Sequence, residues 1–241
     1  MTAILAHLHD KMQSIIRGVG MISKIFQRIK LYRQLRFFQY LYLNYFCRRV
    51  VRTDNSRIIP YKGAVLDMSS SAKIYLSGND IEIGCDRLKG SKMETRIRLR
   101  ENAIWSCEGG CKISYGATIE VLYGAILDSQ FFTMNSNSTL VAAKKIQLGH
   151  DVMIGRGVVI YDSDHHTIRN AQGEVTNPDA PVSLGDHVWL TTNVTVLKGS
   201  SIGAGSVVAA NSVVHGNIPS GALYQSASMK ENYGTWSREH P

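Results

Sequence analysis

The run Asp162-Ser163-Asp164-His165-His166 gathers two carboxylates and two imidazoles within the stretch IYDSDHHTIRN, Ile160 to Asn170. Imidazole titrates near pH 6.5, so it can take a proton from a weak nucleophile and return it to a leaving group. A carboxylate beside it can hold the ring in one tautomer. The same carboxylate can instead stabilise a turn through Asx hydrogen bonds. Both readings stand for Asp162 and for Asp164. No Ser or Cys nearby has the surroundings of an activated nucleophile, which points to direct transfer and not to a covalent intermediate.

These residues interrupt a regular pattern, and that pattern must position them. Leu148, Ile154 and Ile160 are six apart, and the series restarts as Leu184, Leu190, Val196, Ile202, Val208 and Val214. Four residues after the anchors stand Val152, Val158, Val188, Val194, Ser200, Ser206, Ser212 and Ile218, all small or β-branched. A period of six fits neither a helix nor one long strand. It fits short strands joined at tight corners, three to a turn, stacked into a parallel β-helix with a continuous core. From Ile160 to Leu184 is four hexads, so the loop over 161–183 can leave the coil and return in phase. Upstream the period is looser: Val121, Leu127, Thr133 and Thr139 step by six, with Ala125, Phe131 and Asn137 as partners. IEIG at Ile81–Gly84 and IRLR at Ile97–Arg100 read as earlier coils. The expected division is a basic helical segment over 1–60, the coil over 61–218 and a tail over 219–241.

With 44% hydrophobic and 19% charged residues the chain can bury a sizeable core, which excludes global disorder. The net charge of +8 sits at the N-terminus, because residues 1–62 hold twelve Lys and Arg against Asp10 and Asp54. Over 12–50, Ile15, Ile22, Ile25 and Ile29, then Leu35, Phe38, Leu41, Tyr42, Tyr45 and Phe46, recur at helical spacing. Such helices can pack on the main domain or a neighbouring subunit. Equally, FFQYLYLNYF between basic flanks suits the headgroup region of an anionic membrane. A nucleic-acid partner is not expected, since no recognised module surrounds the basic helix. Cys47, Cys85, Cys107 and Cys111 show neither a secreted framework nor zinc-finger spacing and read as free thiols in a reducing compartment. No signal peptide or spanning segment is legible, so the expected location is cytoplasmic.

Leu148–Ile168 followed by Val182–Pro219 resembles the hexapeptide-repeat acyltransferases, in the branch of maltose, galactoside and nodulation-factor acetyltransferases and capsular polysaccharide O-acetyltransferases. The resemblance implies a left-handed β-helix, a homotrimer, acetyl-CoA as donor and a carbohydrate acceptor, without metal. It also implies that His166, at the position of the loop histidine in a motif like D-x-D-x-H, is the general base. His165 falls on a variable position, and Asp164 becomes the candidate orienting carboxylate. Gly185-Asp186-His187-Val188-Trp189 matches the family's next element, so Trp189 is expected to line the cleft between subunits. Thr192 and Ala210 match positions where main chain meets the pantetheine arm, and Lys230 matches a basic position near the nucleotide phosphates. His215-Gly216 and the tail Gln225 to Lys230 depart from the family pattern, as do Asn135 and Asn137, which stand out of register with an acceptor-side asparagine.

Three other readings compete. N-acetylation of an amino sugar nucleotide would ask less of a base. A non-catalytic β-helix scaffold would leave His166 without a role. A zinc site on the same scaffold needs two histidines five apart, and His150, His165, His166, His187 and His215 contain no such pair.

Overall fold

The computed structural model describes residues 34–226 and, as backbone, 228–230. The helical pattern expected over 12–33 and the tail after Lys230 lie outside the described residues. Within them, the N-terminal pattern yields the α-helix Phe37–Leu41, continued by a π-helical turn, Tyr42–Phe46. Leu43 and Cys47 turn inward from it and join the buried core, so the turn closes one end of the coil.

From Val50 onward the chain is strand and corner, wound as a left-handed parallel β-helix of three sheets. The first face has eight strands, from Val50–Arg52 to Asn217–Ile218, and the third has seven, from Ala64–Met68 to Val213–Val214. The second runs from Ile58–Pro60 to Leu223–Gln225 and ends in an antiparallel strand, Ser228–Lys230. The six-step anchors stack one above another. Leu148 pairs with Leu184, Ile202 and then Ile218; Ile154 with Leu190 and Val208; Ile160 with Val196 and Val214. All of them are buried, as are the partner positions Val152 to Ile218.

Stacked backbones leave no room for bulk at the corners. Gly110 has φ of +73°, and a Cβ there would meet the backbone of Asn79 and Asp80 in the coil before it. Where a corner needs the same left-handed conformation without that contact, Asp151, His187, Asn193 and Asn211 supply it, as Asn and Asp do most readily. The small corner serines are buried, and Ser200 and Ser206 donate to the carbonyls of Val214 and Pro219 in the following coil.

The looser upstream period is resolved by a change of phase. Thr133 and Thr139 are half-exposed, while Phe132, Met134 and Leu140 point inward. The strand Ile126–Ser129 buries both Leu127 and Ser129. The next inward residue therefore falls one position away from the six-step series. Phe131 and Asn137, read as partner positions, are half-exposed and exposed for the same reason. The coil also begins before residue 61. Val50–Arg52 and Ile58–Pro60 pair in register with Ile74–Leu76 and Ile81–Ile83, because Val50 and Ile58 already supply inward apolar side chains. At the other end it continues past 218 into Leu223–Gln225. The four cysteines are buried free thiols, and burial pushes that of Cys85 up to about 12.

Candidate active site

The strand Val159–Tyr161 belongs to the third face and the next strand in the chain, Val182–Leu184, to the first, so the interrupting loop emerges at the edge between those faces. Asp162 roots it. Its buried carboxylate accepts hydrogen bonds from the amides of Ala143, Lys144 and Lys145 at 2.6, 2.8 and 2.6 Å. Its carbonyl accepts from the amide of Ala180, on the returning limb. The Asp162 carboxylate thus ties the loop root to the corner of the adjacent coil.

Beyond Asp162 the loop folds into a short hairpin, with a bridge between Arg169 and Val175 and an Asx turn in which Asn170 accepts from the amides of Gln172 and Glu174. Asn177 ties the two limbs together. It donates to the Asp164 carboxylate at 2.9 Å and to the His166 carbonyl at 2.8 Å, and accepts from the amide of Ile168 at 2.6 Å. Lys198, from the corner one coil above, donates to the same Asp164 oxygen at 2.6 Å and to the Asn177 carbonyl at 2.9 Å. The hydrogen bond from Lys198, then that from Asn177, holds the Asp164 carboxyl below the ordinary carboxylate range.

The two histidines separate cleanly in this frame. His165 has φ of +61°, and its ring meets Tyr161 edge-on at 5.0 Å between centroids. His166 is clamped through its main chain, the amide donating to the Asp164 carbonyl at 2.8 Å and the carbonyl accepting from Asn177. Its imidazole is exposed and, among the described residues, makes no hydrogen bond. A fixed backbone with an unengaged ring is the arrangement a proton acceptor for an external ligand requires. Asp164, the candidate orienting carboxylate, is turned to Lys198 and Asn177 and makes no hydrogen bond to the His166 ring.

The residues expected at a donor site lie elsewhere on the prism. Trp189 is half-buried on the second face, its strand flanked by Met153 and Val207. Thr192 and Ala210 are exposed at the edge between the second and third faces, one coil apart, with the Asn211 amide donating to the Thr192 carbonyl. Among the described residues neither the Thr192 nor the Ala210 amide donates to another group, so both are available to a ligand lying along that edge. Lys230 ends the last strand, its backbone opposite Leu223. Within one chain, then, the loop stem and the Thr192 edge stand on opposite sides of the third face. Among the described residues no three His, Cys, Asp or Glu side chains are grouped as a metal site.

Asn177 and Lys198 carry the geometry of the loop but were not singled out from the sequence. The one available signal was Lys198 itself, a long charged residue in a run of corners otherwise made of small ones. The pairing of His187 Nδ1 with Asp151 Oδ2 at 2.7 Å, on the edge between the first and second faces, was equally invisible. It joins two corners that are far apart in sequence and adjacent in the stack.

No family model matches the chain. Individual relatives do. The chain is 32% identical over 117 residues to WbbJ of Escherichia coli K12, named as a candidate lipopolysaccharide biosynthesis O-acetyl transferase. It is 42% identical over 69 residues to the polysialic acid O-acetyltransferase of Neisseria meningitidis, and 30% over 109 residues to the galactoside O-acetyltransferase of Escherichia coli K12. These matches take in 44%, 28% and 44% of this chain and span 59%, 32% and 49% of the relatives' own lengths. Among solved structures, the polysialic acid O-acetyltransferase OatWY superposes with a TM-score of 0.55 at 25% identity, covering 77% of this chain and 92% of that one. In its stacked hexads, its extruded loop and these matches the chain is similar to hexapeptide-repeat acyltransferases, polysaccharide and galactoside O-acetyltransferases among them.

Proposed function

We propose that the protein is an acetyl-CoA-dependent O-acetyltransferase that acts on a carbohydrate hydroxyl during capsule, exopolysaccharide or lipopolysaccharide biosynthesis. The observation that carries this reading is the His166 imidazole, unengaged on a backbone clamped by Asp164, Asn177 and Lys198. The donor supplies an acetyl group as a thioester. His166 takes the proton from the acceptor hydroxyl as its oxygen attacks the thioester carbonyl, then gives that proton to the departing thiolate as the carbon–sulfur bond breaks. The residues that would hold the donor are Trp189 on its face, the unused amides of Thr192 and Ala210, and Lys230. Asp164 acts through the loop backbone as a positioning residue.

Because the loop stem and the Thr192 edge lie apart in one chain, the complete site forms between copies of the chain, which fits the homotrimer that the resemblance implies. We further assign the protein to the cytoplasmic face of a membrane, held there peripherally. Supporting this are the exposed rings of Phe37, Phe38, Tyr42, Tyr45 and Phe46 beside the basic N-terminal segment. Among the described residues no helix is long and apolar enough to cross a membrane.

The test is acetyl-CoA consumption and thiol release with a panel of glycans, for the wild type and His166→Ala. Removing a general base lowers kcat by about a hundredfold or more, with the thermal midpoint unchanged because the ring supports nothing in the fold. Equal turnover by the two proteins would overturn the assignment of His166. Absence of any CoA binding would leave the scaffold reading in its place.

A further inference from the structure

The loop edge continues below the loop as a column of stacked corners. Leu122–Gly124 lies under Ala142–Lys144, with the Leu122 amide donating to the Ala142 carbonyl at 2.8 Å, and Ala143 and Lys144 in turn donate to Asp162 at the loop root. Tyr123 projects from the lower of these corners and is 67% exposed, the position of a large aromatic ring that the core does not use. The corner beneath it is rigid: Gly124 donates to the Glu101 carbonyl and Ala125 to the Leu122 carbonyl, both at 3.0 Å. From the corner below, the Arg100 guanidinium lies over the Tyr123 ring, 5.7 Å from its centroid. Arg100 makes no ion pair among the described residues, and its Nε is buried without a hydrogen-bond partner. That contrasts with Arg98 and Lys145, which pair with Asp67 and Asp128. One corner above, Lys144 adds a second cation, its Nζ 3.2 Å from the Asp179 carbonyl of the loop. Neighbouring strands are about 4.8 Å apart, so Tyr123 stands roughly 10 Å below the loop root.

We propose that Tyr123, Arg100 and Lys144 form a subsite for an acidic glycan chain whose reacting sugar lies at His166. The proposal deepens the acetyltransferase reading and rests on it for the identity of the reacting end. The free face of the Tyr123 ring carries the negative side of its quadrupole and packs against the C–H face of a pyranose. The planar guanidinium of Arg100, which makes no ion pair among the described residues, accommodates a sugar carboxylate or phosphate. The unpaired Arg100 cation over an exposed ring that the core does not use marks the place for an acidic sugar.

The test uses the full chain with polysialic acid and alginate as acidic polymers and dextran as a neutral one, in wild type, Tyr123→Ala and Tyr123→Phe. Direct titration of the polymers is run beside turnover. We expect Tyr123→Ala to weaken binding of an acidic polymer about tenfold and to raise its KM equally. Its kcat and its KM for acetyl-CoA stay as in wild type, and Tyr123→Phe, which keeps the ring, behaves as wild type. Equal binding of an acidic polymer by Tyr123→Ala and wild type would overturn the subsite, as would failure of wild type to bind either acidic polymer, or binding of dextran as tight as theirs. A fall of Tyr123→Ala to a smaller oligomer in gel filtration would also overturn it, by making the ring an interface residue. Turnover unaffected by His166→Ala alongside a Tyr123-dependent binding loss would remove the catalytic reading and leave the subsite standing.

Discussion

Asp162 and Asp164 are separated by one residue and are given opposite work by their surroundings. The first is buried and accepts three main-chain amides, so it acts as part of the coil's backbone hydrogen bonding. The second is exposed and shares one oxygen between Asn177 and Lys198, so it belongs to the loop. Truncating Asp162, whose side chain is buried, leaves three amide donors without their acceptor. Each orphaned buried donor costs about 1–3 kcal/mol, so Asp162→Ala loses at least about 3 kcal/mol of stability. Chemical denaturation measures this directly, and a loss below about 1 kcal/mol would mean that water or a shifted backbone satisfies those amides. Nothing in the sequence distinguished the two residues, because their roles are set by partners at 143–145, 177 and 198. Those partners are adjacent only once the coils are stacked.

The loop is a separable element with its own fastening. Asp164, Asn177 and Lys198 close its stem, and the low pKa of Asp164 links that closure to pH. A carboxylate whose folded pKa is depressed contributes fully above its unfolded value and loses that contribution as the pH falls through the folded value. The stem therefore holds at neutral pH and opens once the pH drops below the ordinary carboxylate range. Lys198→Met should show the open state already at neutral pH. In both cases amide exchange of His166 and Ile168 rises relative to its intrinsic rate, while amides of the stacked strands such as Ile154 and Val208 stay protected. Exchange at His166 that is identical in wild type and Lys198→Met at pH 7 would show that the stem does not need the lysine. The coil and the loop were legible to different degrees for a physical reason. From Leu148 to Ile218 every inward residue is fixed by the six-residue period, and the period survives because identical corners stack on one another. Before Thr133 and Thr139 the strand Ile126–Ser129 buries both Leu127 and Ser129, which shifts the count by one residue, and sequence spacing alone placed the wrong side chains inside. In the loop there is no period at all, so a motif could point to His166 but nothing could indicate that Asn177 and Lys198 hold it.

At the scale of the whole molecule the two ends of the coil differ in kind. One ends in an antiparallel strand, Ser228–Lys230, and the other is closed by the helical turn that buries Leu43 and Cys47. The helical signal over 34–50 therefore describes a cap as well as an appendage, and a truncation at residue 50 would open the core. Sequence periodicity marks both faces of that turn as apolar without saying which one packs. The structure assigns Leu43 and Cys47 to the inside and leaves Phe38 and Phe46 85% and 72% exposed. Rings at that exposure on a helical turn, next to a segment in which twelve cationic residues face two acidic ones, have the composition of an interfacial anchor. Full burial of a Phe side chain contributes about 1.5–3 kcal/mol, and partial insertion of two rings into the headgroup region contributes about 2 kcal/mol together. The double variant Phe38→Ser/Phe46→Ser keeps the residues that cap the core and should bind vesicles of phosphatidylserine and phosphatidylcholine roughly thirtyfold more weakly than wild type. The remaining attraction is electrostatic, so in the double variant it should vanish at high salt. The wild type should retain a salt-resistant fraction held by the rings. If both proteins sediment equally with the vesicles at every salt concentration, the aromatic turn is no anchor and its rings cover another part of the assembly.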